Sequence, residues 1–565
     1  MAGSISDLPT ELLIQICDYL HTKQDVANFS QCSSEFRAVA APHLYRHVDL
    51  LETPVFNHLD RRDTVSHRIE ALVRTFLRDP NLGLMVQRLA VRLPEVKQDD
   101  VKALIPLDPR CEDIVKKILP DTVEPSPQPA AVPSRDADEA AQGSDWESTD
   151  ESADEDEVEV FADEDDPIPV FETEAERWIY LASRSKAIHG NVMFTILLLC
   201  MPNLNCLDLE MPSNGWRTGF LDRAILRDMT HNAVSSSRTA SFLSQLRQVC
   251  FGYSSPAMRG ESWVGPFILP SVEKVYLHHL CGLGPSLGWL RPQSLNITHL
   301  ELRDCRIPAP SLTRLLSGPK ALKTFIYVVG EVQIRAEHYM PISYKSLRIA
   351  MEKQKHSLEE IWLDYPHDYH WNNSTSQMTA PMGSLSSFTR LKHLRIAGTY
   401  IFGFVWTSDV DESRLIRALP EQVETLCLCH ADEDDETLTG LGFVLEGKRT
   451  GDRFPQLREI KLEAAQAWYA ANHRSLNTVL NSAKESGVDV KLMDNHSATR
   501  IEDLWDRRHA ALHFTQHPLL HSRRESPWGF YGETSWPLRV SGCMHIPKYD
   551  DVSRIWMEAE SPESE

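Results

Sequence analysis

A six-residue pattern, L-x-x-L-x-L with aliphatic or aromatic residues at each apolar position, recurs nine times in order along the chain. The instances are LNCLDL (204–209), LRQVCF (246–251), VEKVYL (272–277), ITHLEL (297–302), LKTFIY (322–327), LEEIWL (358–363), LKHLRI (391–396), VETLCL (423–428) and LREIKL (457–462). They start 42, 26, 25, 25, 36, 33, 32 and 34 residues apart. VQRLAV (86–91) adds a tenth and VDVKLM (488–493) a weaker eleventh. The apolar fourth and sixth residues alternate with the third and fifth, so each motif reads as a short strand with one buried face. Helix-like stretches such as SLTRLL (311–316) and ESRLIR (412–417) lie between the motifs. No single strand–helix unit can bury its apolar face alone. Neighbouring units must therefore stack, parallel strand beside parallel strand, into an α/β solenoid with helices on the convex side. A generic α/β domain with coincidental leucines gives no reason for nine motifs in sequence.

Charge divides the chain further. The 565 residues carry a formal net charge of −23. Between residues 121 and 167 there are 18 Asp and Glu against one Arg, so the rest of the chain is close to neutral. This acidic, Pro- and Ser-bearing tract has too little apolar surface to offset the entropy of ordering it, and disorder is expected there. Ser144, Ser148 and Ser152 each have Glu three residues downstream, a pattern acidophilic kinases accept. A solvated spacer is the simpler reading of the tract. A polyanionic segment on a near-neutral body argues against nucleic-acid binding, which needs a basic footprint. The expected organisation is an N-terminal helical unit (1–50), linker helices with a first irregular repeat (51–120), the acidic tract (121–168), the repeat domain (169–495) and a C-terminal cap and tail (496–565).

The longest apolar run, VMFTILLLCM (192–201), is far short of the roughly 20 residues a membrane span needs. The opening MAGSISDLPTE lacks the basic and apolar regions of a secretory signal. The 11 Cys are odd in number and form no C-x-x-C pair. They read as reduced thiols, several of them core-like, in an intracellular protein of the cytoplasm or nucleus.

The first 50 residues pattern as three short helices. Pro9 suits the start of the first, where its missing N–H is not needed. Leu12, Leu13, Ile16 and Leu20 then share one face. Thr22-x-x-Asp25 resembles a capping box and opens a second helix carrying Val26 and Phe29. Ser33 or Ser34 is placed to cap a third helix, with Phe36 and Val39, that stops near Pro42. The whole stretch ISDLPTELLIQICDYLHTKQDVANFSQCSSEFRAVAAPHLYRHVDL resembles an F-box, and with the repeats downstream it is similar to the F-box/leucine-rich-repeat proteins of filamentous fungi. FLRDPNLGLMVQRLAVRL (76–93) and SLSSFTRLKHLRI (384–396) extend the likeness. Phe36 stands where many members carry Trp, and the acidic tract splits the repeat region in an uncommon way. The resemblance implies that Leu8, Pro9, Leu12, Leu13, Ile16, Leu20, Val26 and Phe36 form the contact with a Skp-type adaptor, which links to a cullin–RING ubiquitin ligase. Leu12, Leu13 and Ile16 would serve both the bundle's core and the partner.

Outward strand positions of a solenoid line its concave face, the usual binding surface. They include Lys274, Tyr276 and His278; His299, Glu301 and Arg303; Glu360, Trp362 and Asp364; His393, Arg395 and Ala397; Glu459, Lys461 and Glu463. Aromatics and Arg dominate binding hot spots. Tyr276, His278, Arg303, Trp362, Arg395 and Lys461 are therefore the expected contacts for a protein target.

Two patterns carry metal chemistry in principle. His509, His513, His517 and His521 recur every four residues, but Pro518 disfavours helix at His517. Asp364 to His370 (DYPHDYH) follows a repeat strand and reads as a loop. Neither is assigned as a metal site, no cofactor is expected, and no phosphate-loop, dinucleotide, zinc-protease or nucleophile-elbow motif occurs. The reading is a non-catalytic substrate-recognition subunit of an SCF-type ubiquitin ligase that places target lysines near a charged conjugating enzyme. The alternatives are a scaffold whose F-box no longer serves a ligase, and a hydrolase or metalloprotein using the C-terminal histidines. Trp505, Trp528, Phe530, Tyr531 and Trp536 suggest that the C-terminal segment packs back on the solenoid.

Overall fold

The structure is a computed structural model. It describes residues 8–20, 23–50, 64–93, 106–119, 171, 173–211, 221, 224–225, 243–253, 269–278, 280, 290–305, 307–329, 343–364, 381–403, 413–431, 436–464 and 473–494. The acidic tract, Thr22, the four spaced histidines and the C-terminal aromatics lie outside them. The chain forms two compact units, one of residues 1–97 with 197–565 and the other of residues 98–196.

The larger unit is built on one 12-stranded parallel sheet whose spatial order is its sequence order, β1 to β12. All nine motifs become strands: β3 (Cys206–Met211), β4 (Gln248–Tyr253), β5 (Lys274–His278), β6 (His299–Cys305), β7 (Thr324–Val329), β8 (Glu360–Asp364), β9 (His393–Ala397), β10 (Thr425–Cys429) and β11 (Glu459–Ala464). The two further candidates become β2 (Arg88–Arg92) and β12 (Asp489–Asp494). The inner alternation holds throughout: Phe325, Ile361, Leu363, Leu394, Ile396, Leu426, Leu428, Ile460 and Leu462 are all fully buried.

The sheet begins earlier than expected. β1 (His47–Leu50) pairs with β2, so the sheet starts within the N-terminal helical unit, one strand ahead of the irregular repeat expected in residues 51–120. The stretch Leu44 to Leu50 continues directly from a helix, which hides its strand character from local pattern. Backbone bonds at the strand entrances show that the joint is a normal repeat step. The Arg46 carbonyl accepts from the N–H groups of Gln87 (2.9 Å) and Arg88 (3.0 Å). The Asn205 carbonyl accepts in the same way from Arg247 (2.8 Å) and Gln248 (3.0 Å), and Lys392 from Glu424 (2.7 Å) and Thr425 (3.0 Å). Arg46 Nε also donates to Gln87 Oε1 at 2.8 Å.

Three helices precede β1. In α1 (Thr10–Tyr19), Pro9 is the N-cap, as its fixed φ favours. α2 (Lys23–Cys32) follows. α3 (Ser34–Tyr45) is capped by the Ser33 hydroxyl, which accepts from Phe36 N at 3.0 Å. Pro42 does not stop this helix. It lies within the last turn, where Arg46 N still bonds the Pro42 carbonyl at 2.9 Å. Leu13, Cys17, Val26, Phe36, Val39 and Ala40 form the core of this bundle, with Leu8, Ile16, Leu20, Phe29 and Leu44 packed against it.

Helices α4 (Thr64–Arg78) and α5 (Pro80–Met85) connect β1 to β2. On α5, a Cβ added to Gly83 would stand 2.1 Å from the Cys200 carbonyl oxygen. In an open helix Gly→Ala stabilises by up to ~1 kcal/mol. Here backbone meets backbone, so Gly83→Ala is expected to destabilise by about 1–3 kcal/mol, read as a lowered denaturation midpoint. A rise in midpoint would show that α5 can move away.

Between later strands lie α9 (Ala309–Ser317), α10 (Tyr344–Met351), α11 (Gly398–Phe402), α12 (Arg414–Ala418), α13 (Glu436–Thr450) and α14 (His473–Ser486). Buried Gln354 joins two repeats. Its Nε2 donates to the carbonyls of Leu316 (2.9 Å) and Pro319 (2.8 Å), and its Oε1 accepts from Leu322 N (3.1 Å).

In the smaller unit, α6 (Pro109–Ile118) is capped by the Asp108 carboxylate and packs on α7 (Glu174–Arg184), which opens with a Thr173–Glu176 capping box. α8 (Lys186–Leu199), whose residues up to 196 belong to this unit and whose last three belong to the larger one, carries most of the long apolar run. Its residues Val192, Phe194, Ile196, Leu197 and Leu198 are at most 1% exposed, as expected of a helix apolar on every side. Among the described residues no helix is long and apolar enough to cross a membrane, and no two cysteines form a disulfide.

Candidate functional site

Two surfaces carry the chemistry that the sequence singles out. The first is α1. At 100° per residue, Leu13, Ile16, Cys17 and Leu20 point at α2 and α3, while Leu12, Gln15 and Tyr19 fall on the opposite side. Leu13 is 0% exposed, whereas Leu12 is 43% and Tyr19 79% exposed. Pro9 is exposed beside them, and Leu8, Ile16 and Leu20 are half-buried.

Three of the expected adaptor residues lie inside the bundle. Leu13, Val26 and Phe36 form the interior of the bundle, because three short helices need them to close any core at all. Phe36 stacks on Phe29 with ring centroids 4.5 Å apart and planes within 4°. The open apolar face of α1 includes one residue that the sequence reading missed, Tyr19; Ile14 is also exposed, on the other side of the helix. The signal for Tyr19 was its place seven residues after Leu12, two turns along the same side.

The second surface is the outward face of the sheet. Strand register puts Cys250, Tyr276, Glu301, Ile326, Trp362, Arg395, Cys427 and Lys461 in one continuous row. These positions face outward as expected, yet they are not open to solvent. Tyr276, Arg303, Trp362, Arg395 and Lys461 are between 1% and 4% exposed. The reason is lateral packing: each side chain is taken up by neighbours on its own or nearby strands. The guanidinium carbons of Arg303 and Arg395 lie 4.6 and 4.3 Å from the centre of the Trp362 ring. Arg303 also bonds Glu301, and Tyr276 packs on His299 at 4.9 Å. His278 lies in β5, opposite Arg303 in register.

Arg395 is the hub of this layer. It grips Glu463 through two nitrogens, at 3.3 and 2.6 Å, and reaches Asp364 with a third. His430 Nε2 lies 2.8 Å from Asp364 Oδ1. The Cys427 thiol donates to Glu463 Oε1 at 3.2 Å. Burial alone would raise the pKa of Asp364, but Arg395 and His430 outweigh it and hold the carboxyl well below the usual carboxylate range. Glu301 is governed in the same way: burial raises its pKa, and Arg303 with His299 lowers it on balance. The Cys427 and Cys429 thiols are pushed well up by burial and neighbouring carboxylates. These pairs neutralise one another inside the layer.

The half-buried polar groups belong to the preceding row, at the strand entrances: Lys274, His299, Glu360, His393 and Glu459.

Comparison with known families agrees with this architecture. A family model described as leucine-rich repeat domain matches residues 137–491, and one described as F-box-like matches residues 5–51. The chain belongs to the leucine-rich-repeat family. With its F-box-like N-terminus it is an F-box/leucine-rich-repeat protein. No curated protein sequence matches the chain. Proteins of this type are in general non-catalytic adaptors or receptors, and ubiquitin-ligase and protein-interaction roles follow from the two domains.

Proposed function

We propose that this protein is the substrate-recognition subunit of an SCF-type ubiquitin ligase, with α1 docking a Skp-type adaptor and the repeat sheet holding a protein target. The observation that carries this reading is the apolar face of α1. Leu12 and Tyr19 stand open at 43% and 79% exposure beside Pro9, on a bundle whose core is already closed without them. Such a face stabilises an association by far more than it stabilises the bundle. The continuous backbone joint at Arg46 adds a mechanical argument. A target held on the sheet keeps a fixed position relative to the adaptor, which raises the effective concentration of its lysines at the conjugating enzyme. Target contacts fall to the strand-entrance row of Lys274, His299, Glu360, His393 and Glu459, with Tyr276, Trp362 and Arg395 as the layer that shapes it.

The test is adaptor capture by the full chain. Leu12→Asp with Tyr19→Asp changes two exposed residues and leaves the core intact. It is expected to weaken adaptor binding by roughly 100-fold or more. Phe443→Asp, at a 41% exposed position on α13, serves as the control and should bind as wild type does. Adaptor binding by the α1 variant equal to wild type would remove α1 as the docking face. Wild type that captures no adaptor at all would leave a repeat scaffold outside the ligase.

A further inference from the structure

Three potential metal ligands meet at the carboxyl ends of two strands that are not adjacent. Asp364 ends β8 and Cys429 ends β10, with β9 between them. The β9 residue paired with Cys429 is Ala397, fully buried, whose methyl group leaves room above the strand. Asp364 and Cys429 therefore meet across β9, with Sγ 3.6 Å from Oδ1.

His430 joins them through a reversal of the chain. Successive strand residues point to opposite faces, so His430 should project away from Cys429. Its φ of 51° is in the left-handed region, which breaks the alternation. The imidazole thus returns to the same side, with Nε2 2.8 Å from Asp364 Oδ1. One carboxylate oxygen, one thiol sulfur and one imidazole nitrogen all lie within 4.8 Å of one another, and all three residues are buried.

We propose that Asp364, Cys429 and His430 form a zinc-binding site that staples β8 to β10 at one edge of the target-binding face. The donor set of one thiolate, one imidazole and one carboxylate suits zinc, which takes such ligands tetrahedrally, and three protein ligands leave a fourth position for water. Tetrahedral bonds of about 2.0 Å to nitrogen and oxygen and 2.3 Å to sulfur put ligand atoms roughly 3.3–3.6 Å apart. The sulfur–carboxylate distance of 3.6 Å already fits. The imidazole has to withdraw by about half an ångström to admit the ion.

Charge balance supports the same assignment. A dication with one carboxylate and one thiolate is neutral, and beside it Arg395 is neutralised by Glu463, so no net charge is buried. Arg395 bonds Oδ2 of Asp364 and leaves Oδ1 to the ion, the place a supporting hydrogen bond takes around metal ligands. Binding forms Zn–O, Zn–S and Zn–N bonds. The thiol proton leaves to solvent, and the imidazole carries its remaining proton on Nδ1. As a metal ligand Asp364 was considered in the sequence only with its neighbours 365–370, while its partners here lie 65 and 66 residues onward.

Cobalt(II) in place of zinc tests the site on the full chain, because a thiolate–cobalt bond gives a near-ultraviolet charge-transfer band that histidine ligands alone do not. Metal-free protein dialysed against Co²⁺ should retain one equivalent and show the band. Cys429→Ser should abolish the band, and His430→Asn should weaken retention at least tenfold. Cys427→Ser, on the neighbouring strand position, should keep both. Excess Zn²⁺ should displace the cobalt and erase the band. Wild type that retains no stoichiometric cobalt, or retains it without the band, overturns the proposal without any variant. A band that survives Cys429→Ser overturns it as well, since the sulfur then comes from another cysteine.

Discussion

Arg395→Ala is expected to destabilise the repeat unit by roughly 3–5 kcal/mol, because it leaves Asp364 and Glu463 buried without their cation. The arginine is 3% exposed and its two partners 5% and 1%, so water cannot replace it. Much of this loss is the penalty of stranded charge. Replacing Arg395 by Met, Asp364 by Asn and Glu463 by Gln together is accordingly expected to cost less than the single change. The pH dependence gives a second readout. In wild type the Asp364 pKa lies below its unfolded value of about 3.9, so its contribution is fully present above that pH and is lost as pH falls further. In Arg395→Ala the burial effect is no longer opposed by the arginine, and the Asp364 pKa moves upward. The stability gap between variant and wild type should then narrow as the pH is lowered from 7 towards 5. Denaturant unfolding at several pH values measures both effects. A single substitution with an effect under 1 kcal/mol, or a gap independent of pH, would show that water reaches the layer.

Phe36→Ala is expected to cost roughly 3–5 kcal/mol, enough to unfold the N-terminal bundle locally while the sheet persists. Phe36 fills the middle of a core made of six buried residues and is stacked on Phe29. Three short helices have little other apolar surface to hold them. Amide exchange should speed up over residues 10–45 and stay slow in β5 to β10, and adaptor capture should fall with it. The contrast with the exposed α1 variant is informative: one variant loses capture by unfolding, the other while folded. Slow exchange retained across α1 to α3 in Phe36→Ala would mean that the sheet, through Arg46 and β1, holds the bundle in place.

Much of the architecture was legible along the chain. Every L-x-x-L-x-L motif became a strand with its fourth and sixth residues inside, because alternation is a property of the extended backbone itself. Pro9 and Ser33 marked helix starts through equally local chemistry, a missing N–H and a capping hydroxyl. Where two local rules competed, the pattern failed. His47 to Leu50 was absorbed into the helical unit, and Pro42 suggested a stop three residues before the helix ends at Tyr45. Leu13, Val26 and Phe36, named as partner contacts by the resemblance, lie in the bundle's core, because apolar spacing marks a helix face without saying whether that face meets the molecule's own core or another protein.

The outward row marks the division. Its membership follows from alternation alone: Tyr276, Trp362, Arg395 and Lys461 lie in it, and Arg303 faces the same way two residues further along β6. Their burial depended on who stands beside them across strands 30 to 70 residues apart, as when Arg395 meets Glu463 at a separation of 68. Periodicity along one strand assigns a side chain to a face. Only lateral packing between strands, which no local pattern encodes, decides whether its charge ends in water, in an ion pair, or beside a thiol and an imidazole.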